Sequence, residues 1–153
     1  VFPPIIEASR HQVFHFEAGD AVDEPGRVPA PRFRMRVLPD VRTALEELTG
    51  HAMTFIPCGG SDPVTQRREQ WTDGANLFAL RSGLVVGYDR NGRTFDAMRE
   101  HGFHVVDAEP FLDFYGGAAI PDGDRIAIKL QGDELSRGRG GPRCMTMPLV
   151  RGA

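Results

Sequence analysis

The 153-residue sequence has few cysteines, no long apolar run and no excess of basic residues. Its two cysteines, Cys58 and Cys144, are too few for a disulfide-stapled secreted domain, so a reduced, cytoplasmic protein is expected. No stretch approaches the roughly 18 apolar residues of a membrane span, and no signal peptide is visible. Lys and Arg total 18 against 21 Asp and Glu, and this net charge of −3 argues against a polyanion-binding chain.

The composition that remains is that of one folded domain. Hydrophobic residues make up 41% and charged residues 25%, which excludes a collagen, a coiled coil and a fully disordered chain. A domain of this length buries about 70% of the surface that its unfolded chain exposes, so it can form a hydrophobic core. The chain begins at Val1, inside an apolar run and without an initiator methionine, which suggests a processed chain or a part of a longer protein.

The hydrophobic pattern predicts an α/β fold in which strands alternate with helices. Helix signals are Asp40 as an N-cap with Gly50 as the stop, Asp62 as the cap of a second helix, and Thr94 as the cap of a third. Residues 108–117 fit either a helix or a loop. Strands are predicted over residues 13–16, 33–38, 51–56, 77–80, 84–88, 103–107, 125–130 and 144–150.

Two stretches resemble each other. Each has a strand, an aspartate, a helix, a glycine and a further strand, and the two glycines, Gly50 and Gly102, lie 52 residues apart. Such a repeat indicates a modular α/β architecture, with chance similarity of two short units as the alternative.

The most informative segment is 134–148, where a glycine- and arginine-rich loop precedes Cys144. Glycines let a backbone approach a ligand closely, and arginines suit a carboxylate or phosphate. A thiol beside cationic groups suits nucleophilic catalysis. On a strand, Thr146 would share the face of Cys144. The alternative for Cys144 is a buried structural cysteine, and the alternative for the loop is a solvated glycine turn. A third alternative is an RGG-like RNA-binding tract, although such tracts usually contain many repeats and this segment has one.

A second cluster runs from Cys58 through residues 68–76. Asp73 and Asn76 fall in a predicted turn, where Asp73 is expected to serve as an Asx-turn acceptor and Asn76 could donate to a ligand. The two cysteines and the scattered histidines do not have the spacing of a zinc site.

These segments together resemble bacterial arginine deiminases in their C-terminal part, over roughly residues 37–150. The segments that carry the likeness are Cys58-Gly59-Gly60, Arg68-Glu69-Gln70-Trp71-x-Asp73-Gly74-x-Asn76, Val86-x-Tyr88-Asp89-Arg90-Asn91 and the run from Glu134 to Leu149. The resemblance implies the guanidine-modifying superfamily, whose catalytic domain is an α/β propeller (pentein) of five pseudo-repeated ββαβ modules. This chain would then be about two C-terminal modules, approximately 33–107 and 108–150.

The resemblance also implies the chemistry. Cys144 takes the nucleophile position in the hydrolysis of L-arginine to L-citrulline and ammonia, Arg139 holds the substrate carboxylate, and Asn76 is a weaker match to a substrate-contacting residue. It implies no metal, cofactor, nucleic-acid or membrane partner, and a homo-oligomer as the full-length enzyme.

Two features depart from the family pattern. The family's His-x-Asp acid–base segment is absent from the sequence, so the 153 residues alone are expected to be inactive without the N-terminal remainder. Residues 111–129 look like an insertion. The competing hypotheses are another guanidine-directed hydrolase, an amidinotransferase, or a non-catalytic module that binds an anion or RNA through the loop.

Overall fold

The computed structural model describes residues 12–19, 33–116, 120–147 and Leu149. The chain forms two compact units, divided between Thr54 and Phe55. Strands and helices occur in both, so the predicted α/β class is confirmed. The division into modules at 33–107 and 108–150 stays a prediction.

The first unit is a hairpin with one helix. Strands β1 (Val13–Ala18) and β2 (Phe33–Leu38) pair antiparallel, and helix α1 (Val41–Thr49) follows. Side chains alternate between the two faces of a strand, so three apolar residues of β2 share one face. These side chains are nevertheless more than half exposed. They are Phe33, Met35 and Val37.

Helix α1 begins and ends as predicted. The Asp40 side chain accepts hydrogen bonds from the backbone N–H and the hydroxyl of Thr43, at 2.7 and 3.0 Å. Gly50 ends the helix in the left-handed conformation at φ +68°.

The strand predicted over residues 51–56 is wrong, since this described segment contains no strand. The backbone of Met53 bonds to side chains of α1 instead of to a neighbouring strand. Its N–H donates to Glu46 and its carbonyl accepts from Arg42.

The second unit is built on a four-stranded sheet. Its strands are β3 (Phe78–Arg81), β4 (Leu84–Tyr88), β5 (His104–Asp107) and β6 (Ile126–Leu130), in the order β3-β4-β6-β5. Strands β3 and β4 form an antiparallel hairpin, whereas β6 runs parallel to both of its neighbours.

Helices cover this sheet through two separate apolar clusters. Helix α2 spans Pro63–Trp71, α3 spans Gly92–Glu100 and α4 spans Ala108–Tyr115, which settles residues 108–115 as helix. Successive strand residues point to opposite faces, so the alternation of apolar residues along β6 supplies both clusters. One cluster centres on Leu84, Ile126 and Ile128 and contacts α4, and the other centres on Phe95, Met98 and Ala127.

The start of α3 differs from the prediction. Thr94 is the third residue of the helix and not its cap, and Asn91 in the N-cap position makes no side-chain capping bond. The carboxylate of Glu69 on α2 caps α3 instead, because its oxygens accept from the N–H groups of Arg93 and Thr94 at 2.9 and 2.8 Å.

The chain after β6 is a loop with one short 3-10 helix, Leu135–Gly138. The strand predicted over 144–150 is wrong for the described residues 144–147 and Leu149. The N–H groups of Cys144 and Met145 both donate to the carbonyl of Gly141, and this turn replaces extended pairing. Because this segment is not a strand, the expectation that Thr146 and Cys144 share a strand face does not apply. Among the described residues no helix is long and apolar enough to cross a membrane.

Candidate active site

The candidate nucleophile lies on the loop that follows β6. Cys144 is a free, exposed cysteine, so the alternative of a buried structural residue does not apply to it. The loop is residues 139–144, called here the nucleophile loop. The segment that precedes the loop is anchored by Arg90, whose guanidinium donates to the Asp133 carbonyl at 2.9 Å and to the buried Ser136 hydroxyl at 2.7 Å.

Asn76 contacts Cys144 directly. The side-chain amide nitrogen of Asn76 lies 2.8 Å from the Cys144 sulfur. The other end of the amide, Oδ1, is buried and has no hydrogen-bond partner among the described residues. The amide nitrogen is a donor, and the sulfur can accept its N–H as a thiol or, more strongly, as a thiolate, so Asn76 can orient the sulfur in either protonation state.

Asp73 holds the nucleophile loop from the same turn. Its carboxylate accepts the backbone N–H of Gly140 at 2.9 Å. The turn of residues 73–76, called here the support turn, is closed by the Asn76 N–H donating to the Asp73 carbonyl. The expected Asx-turn role is therefore replaced by a long-range contact of the Asp73 carboxylate.

Gly141 allows the support turn and the nucleophile loop to touch. A Cβ atom at Gly141 would lie 2.5–2.7 Å from the Cβ, carbonyl and Cγ atoms of Asn76, so a side chain cannot fit. By contrast, a Cβ at Gly138 would meet nothing within 4 Å. The close approach at Gly141 is what brings Asn76 within reach of the Cys144 sulfur.

Arg139 and Arg137 have different surroundings. The Arg139 guanidinium lies over the ring of Trp71, with 4.7 Å from its carbon to the ring centroid, which is cation–π geometry. Arg139 has φ +61°, an uncommon conformation for a residue other than glycine. Arg137 is instead an exposed residue in an ion pair with Glu134.

A buried tyrosine lies behind the site. Tyr88, at the end of β4, is 2% exposed. Burial raises the pKa of Tyr88, and the negative charges of Asp73 and Cys144 raise it further. The site therefore gathers acidic groups near this phenol.

The second cysteine is structural. Cys58 is fully buried, its sulfur lies 3.6 Å from the Thr94 hydroxyl, and burial raises the pKa of its thiol. A Cβ at Gly74 would lie 2.8 Å from this sulfur, so the support turn packs directly on Cys58. The Thr94 hydroxyl also lies 2.7 Å from the Glu69 carboxylate, to which it donates.

The structure brings two of the three predicted site residues, Asn76 and Cys144, into contact and places Arg139 on the same loop. Sequence reasoning missed the long-range role of Asp73 and the platform formed by Trp71. The one available signal was their position in the Trp71-x-Asp73-Gly74-x-Asn76 segment, which ends a helix with a turn.

Comparison with known proteins gives consistent matches. The family model described as arginine deiminase matches residues 1–151. The chain is 43% identical over 109 residues to the arginine deiminase of Bacillus cereus (strain B4264), covering 71% of this chain and 21% of that protein. It is 44% identical over 99 residues to that of Latilactobacillus sakei, covering 65% of this chain and 19% of that protein. The chain therefore spans about a fifth of the length of these relatives. It belongs to the arginine deiminase family.

Proposed function

We propose that these residues form the nucleophile-bearing part of an arginine deiminase, which hydrolyses L-arginine to L-citrulline and ammonia. The observation that carries the proposal is the exposed Cys144 thiol, contacted at 2.8 Å by the Asn76 amide in a chain of this family. Related proteins that cover most of this chain bear the name arginine deiminase.

The reaction uses Cys144 twice. Its thiolate attacks the guanidinium carbon, a C–S bond forms, and a C–N bond breaks as ammonia leaves with an added proton. Water then adds to the resulting S-alkyl thiouronium carbon, the C–S bond breaks, and citrulline and the thiolate are released. The positive charge of the substrate guanidinium makes its carbon electrophilic.

Arg139 is proposed to bind the substrate carboxylate. A guanidinium can donate two parallel N–H bonds to a carboxylate, which fixes the orientation of a short substrate. The stacking on Trp71 supports this assignment, because it holds the Arg139 guanidinium in place without neutralising its charge. The exposed Arg137, by contrast, is already paired with the carboxylate of Glu134. Asn76, expected from the resemblance to contact substrate, is assigned to the sulfur.

The acid–base step needs groups from outside these 153 residues. None of the five histidines is followed by the x-Asp of the family segment. Proton management by a positioned acid–base group contributes about 10²- to 10⁴-fold in rate, so the 153 residues alone are proposed to be inactive. They would work with the N-terminal remainder as modules of a cofactor-free α/β propeller. The two free cysteines support a cytoplasmic setting, and a homo-oligomer of the full-length enzyme stays a proposal.

The test is product analysis with a Cys144→Ala variant of the full-length enzyme. We expect the wild type to release citrulline and ammonia in equal amounts and the variant to release neither. Mass spectrometry of the wild type quenched during turnover should find the thiouronium adduct on Cys144 and not on the buried Cys58. Guanidine transfer to an added amine would indicate an amidinotransferase. Arginine or anion binding that is indifferent to alkylation of Cys144, without turnover, would indicate a binding module.

A second experiment tests the division of labour. Citrulline release is measured for the 153-residue chain, for this chain mixed with the N-terminal remainder, and for the mixture carrying Cys144→Ala. We expect no activity, partial recovery and no activity, in that order. Turnover by the isolated chain would mean that one of its own histidines, such as His15 or His104, serves as the base.

A further inference from the structure

The nucleophile loop receives a carboxylate that the proposed chemistry does not use. Asp73 lies at the end of α2 and bonds to Gly140, which is 67 residues further along the chain. Gly140 stands between Arg139, the proposed carboxylate-binding residue, and Gly141, which packs on Asn76. A single hydrogen bond at this point therefore constrains both halves of the loop.

The support turn is itself held rigidly. The Gly74 N–H donates to the Glu69 carbonyl at 2.7 Å, and Gly74 has no room for a side chain between the Cys58 sulfur and this carbonyl. The Thr72 hydroxyl donates to the buried Asn91 side chain at 2.6 Å. The turn that carries the Asp73 carboxylate is thus held by contacts of its neighbours Gly74 and Thr72.

The backbone of Asp73 is adapted to this contact. It has φ +61°, a left-handed conformation that aspartate adopts more readily than most residues other than glycine. The backbone itself closes the turn, which leaves the carboxylate available for the Gly140 N–H.

We propose, on the basis of the proposed function, that Asp73 is a positioning residue for the nucleophile. Its carboxylate fixes the backbone of the nucleophile loop at Gly140, so that the Cys144 sulfur stays at the Asn76 amide. Asp73 does not touch the substrate. Because the Arg139 guanidinium is separately held on Trp71, the loss of Asp73 acts on the rate of attack more than on substrate binding.

The experiment compares three variants in the full-length enzyme. Asp73→Gly removes the carboxylate and keeps the left-handed backbone unstrained, and Asp73→Asn keeps an oxygen acceptor for the Gly140 N–H. Asp122→Gly is the control, because Asp122 is an exposed aspartate in a turn that belongs neither to the support turn nor to the nucleophile loop. Initial rates give kcat and KM for arginine, and hydrogen exchange reports on the Gly140 amide.

Asp73→Gly is expected to lower kcat by about 10- to 100-fold with KM within about threefold, the range of one hydrogen bond to a charged acceptor. The Gly140 amide should exchange at least about tenfold faster. Asp73→Asn should recover most of both values, Asp122→Gly should match the wild type, and Cys58 should stay unreactive to alkylation throughout.

The inference is overturned if Asp73→Gly keeps the wild-type kcat or leaves Gly140 exchange unchanged. It is also overturned if the Asp73→Gly and Asp73→Asn variants lose activity equally while Cys58 becomes reactive, which would indicate a general loss of structure. If the wild-type enzyme releases no citrulline, the proposed function is wrong. The exchange rate of the Gly140 amide then still tests whether the Asp73 carboxylate bonds to it.

Discussion

Replacing Arg139 with lysine tests the proposed carboxylate contact while keeping the charge. Lysine cannot form the two parallel N–H bonds of a guanidinium, so one charge-assisted hydrogen bond is lost. Such a bond contributes about 1.5–3 kcal/mol, which predicts a fall in kcat/KM of about 10- to 150-fold. Arg137→Lys is the control, since Arg137 is exposed and its surface pair with Glu134 is worth at most about 1 kcal/mol.

The assay is the initial rate of citrulline release across an arginine concentration series, repeated with the amide of arginine, which lacks the carboxylate. If Arg139 binds that carboxylate, the preference of the wild type for arginine over its amide should shrink in Arg139→Lys by about the factor lost on arginine itself. Equal losses for Arg139→Lys and Arg137→Lys, or an unchanged preference, would refute the assignment of Arg139.

Three further outcomes follow from the structure. Glu69→Ala removes the acceptor of three hydrogen bonds, two of them buried, and should lower the free energy of unfolding in urea by about 3 kcal/mol. The exposed Glu100→Ala should change it by less than about 0.5 kcal/mol. Gly141→Ala should abolish most citrulline release because its Cβ displaces the amide that contacts the proposed nucleophile. Gly138→Ala, with open space around its Cβ, should not. A backbone N–H of α2 holds the pKa of Asp62 below its ordinary value, so this group stabilises the fold at neutral pH. That contribution is lost as the pH falls below about 4, and Asp62→Asn should flatten the acid side of the urea-midpoint profile.

Helix ends were predictable where the capping group is close in sequence. Asp40 and Asp62 each bond to an N–H three residues ahead, so a short segment contains the whole signal. The cap of α3 is different, because Glu69 lies 24 residues before the first N–H that it accepts. No local pattern at Thr94 reveals this contact, and the prediction of Thr94 as the cap is therefore wrong.

Two predicted strands were wrong for a related reason. A pattern of apolar residues shows that a segment can be extended, but a strand also requires hydrogen bonds from a neighbour. The backbone of Met53 is bonded by side chains of α1, and the backbone at Cys144 turns onto the Gly141 carbonyl. Both outcomes depend on groups that the alternating pattern does not encode.

The candidate site divides in the same way. Residue chemistry and the family resemblance predict Cys144, Arg139 and Asn76 as site residues from the sequence. The orientation of Asn76 toward the sulfur and the bond from Asp73 to Gly140 depend on two segments that are 67 or more residues apart. Such contacts become visible only when the fold has brought the support turn and the nucleophile loop together.

The two cysteines contribute to one site from opposite sides of the support turn. Cys58 and the Glu69 carbonyl hold Gly74 from behind, and in front Asp73 and Asn76 hold the nucleophile loop. Burial raises the pKa of the Cys58 thiol and so disfavours the reactive thiolate, which suits a residue that fills space beside the turn while Cys144 is the proposed nucleophile. The Cys58 side chain fills the space next to Gly74, and it therefore supports the turn whose Asn76 amide lies 2.8 Å from the Cys144 sulfur.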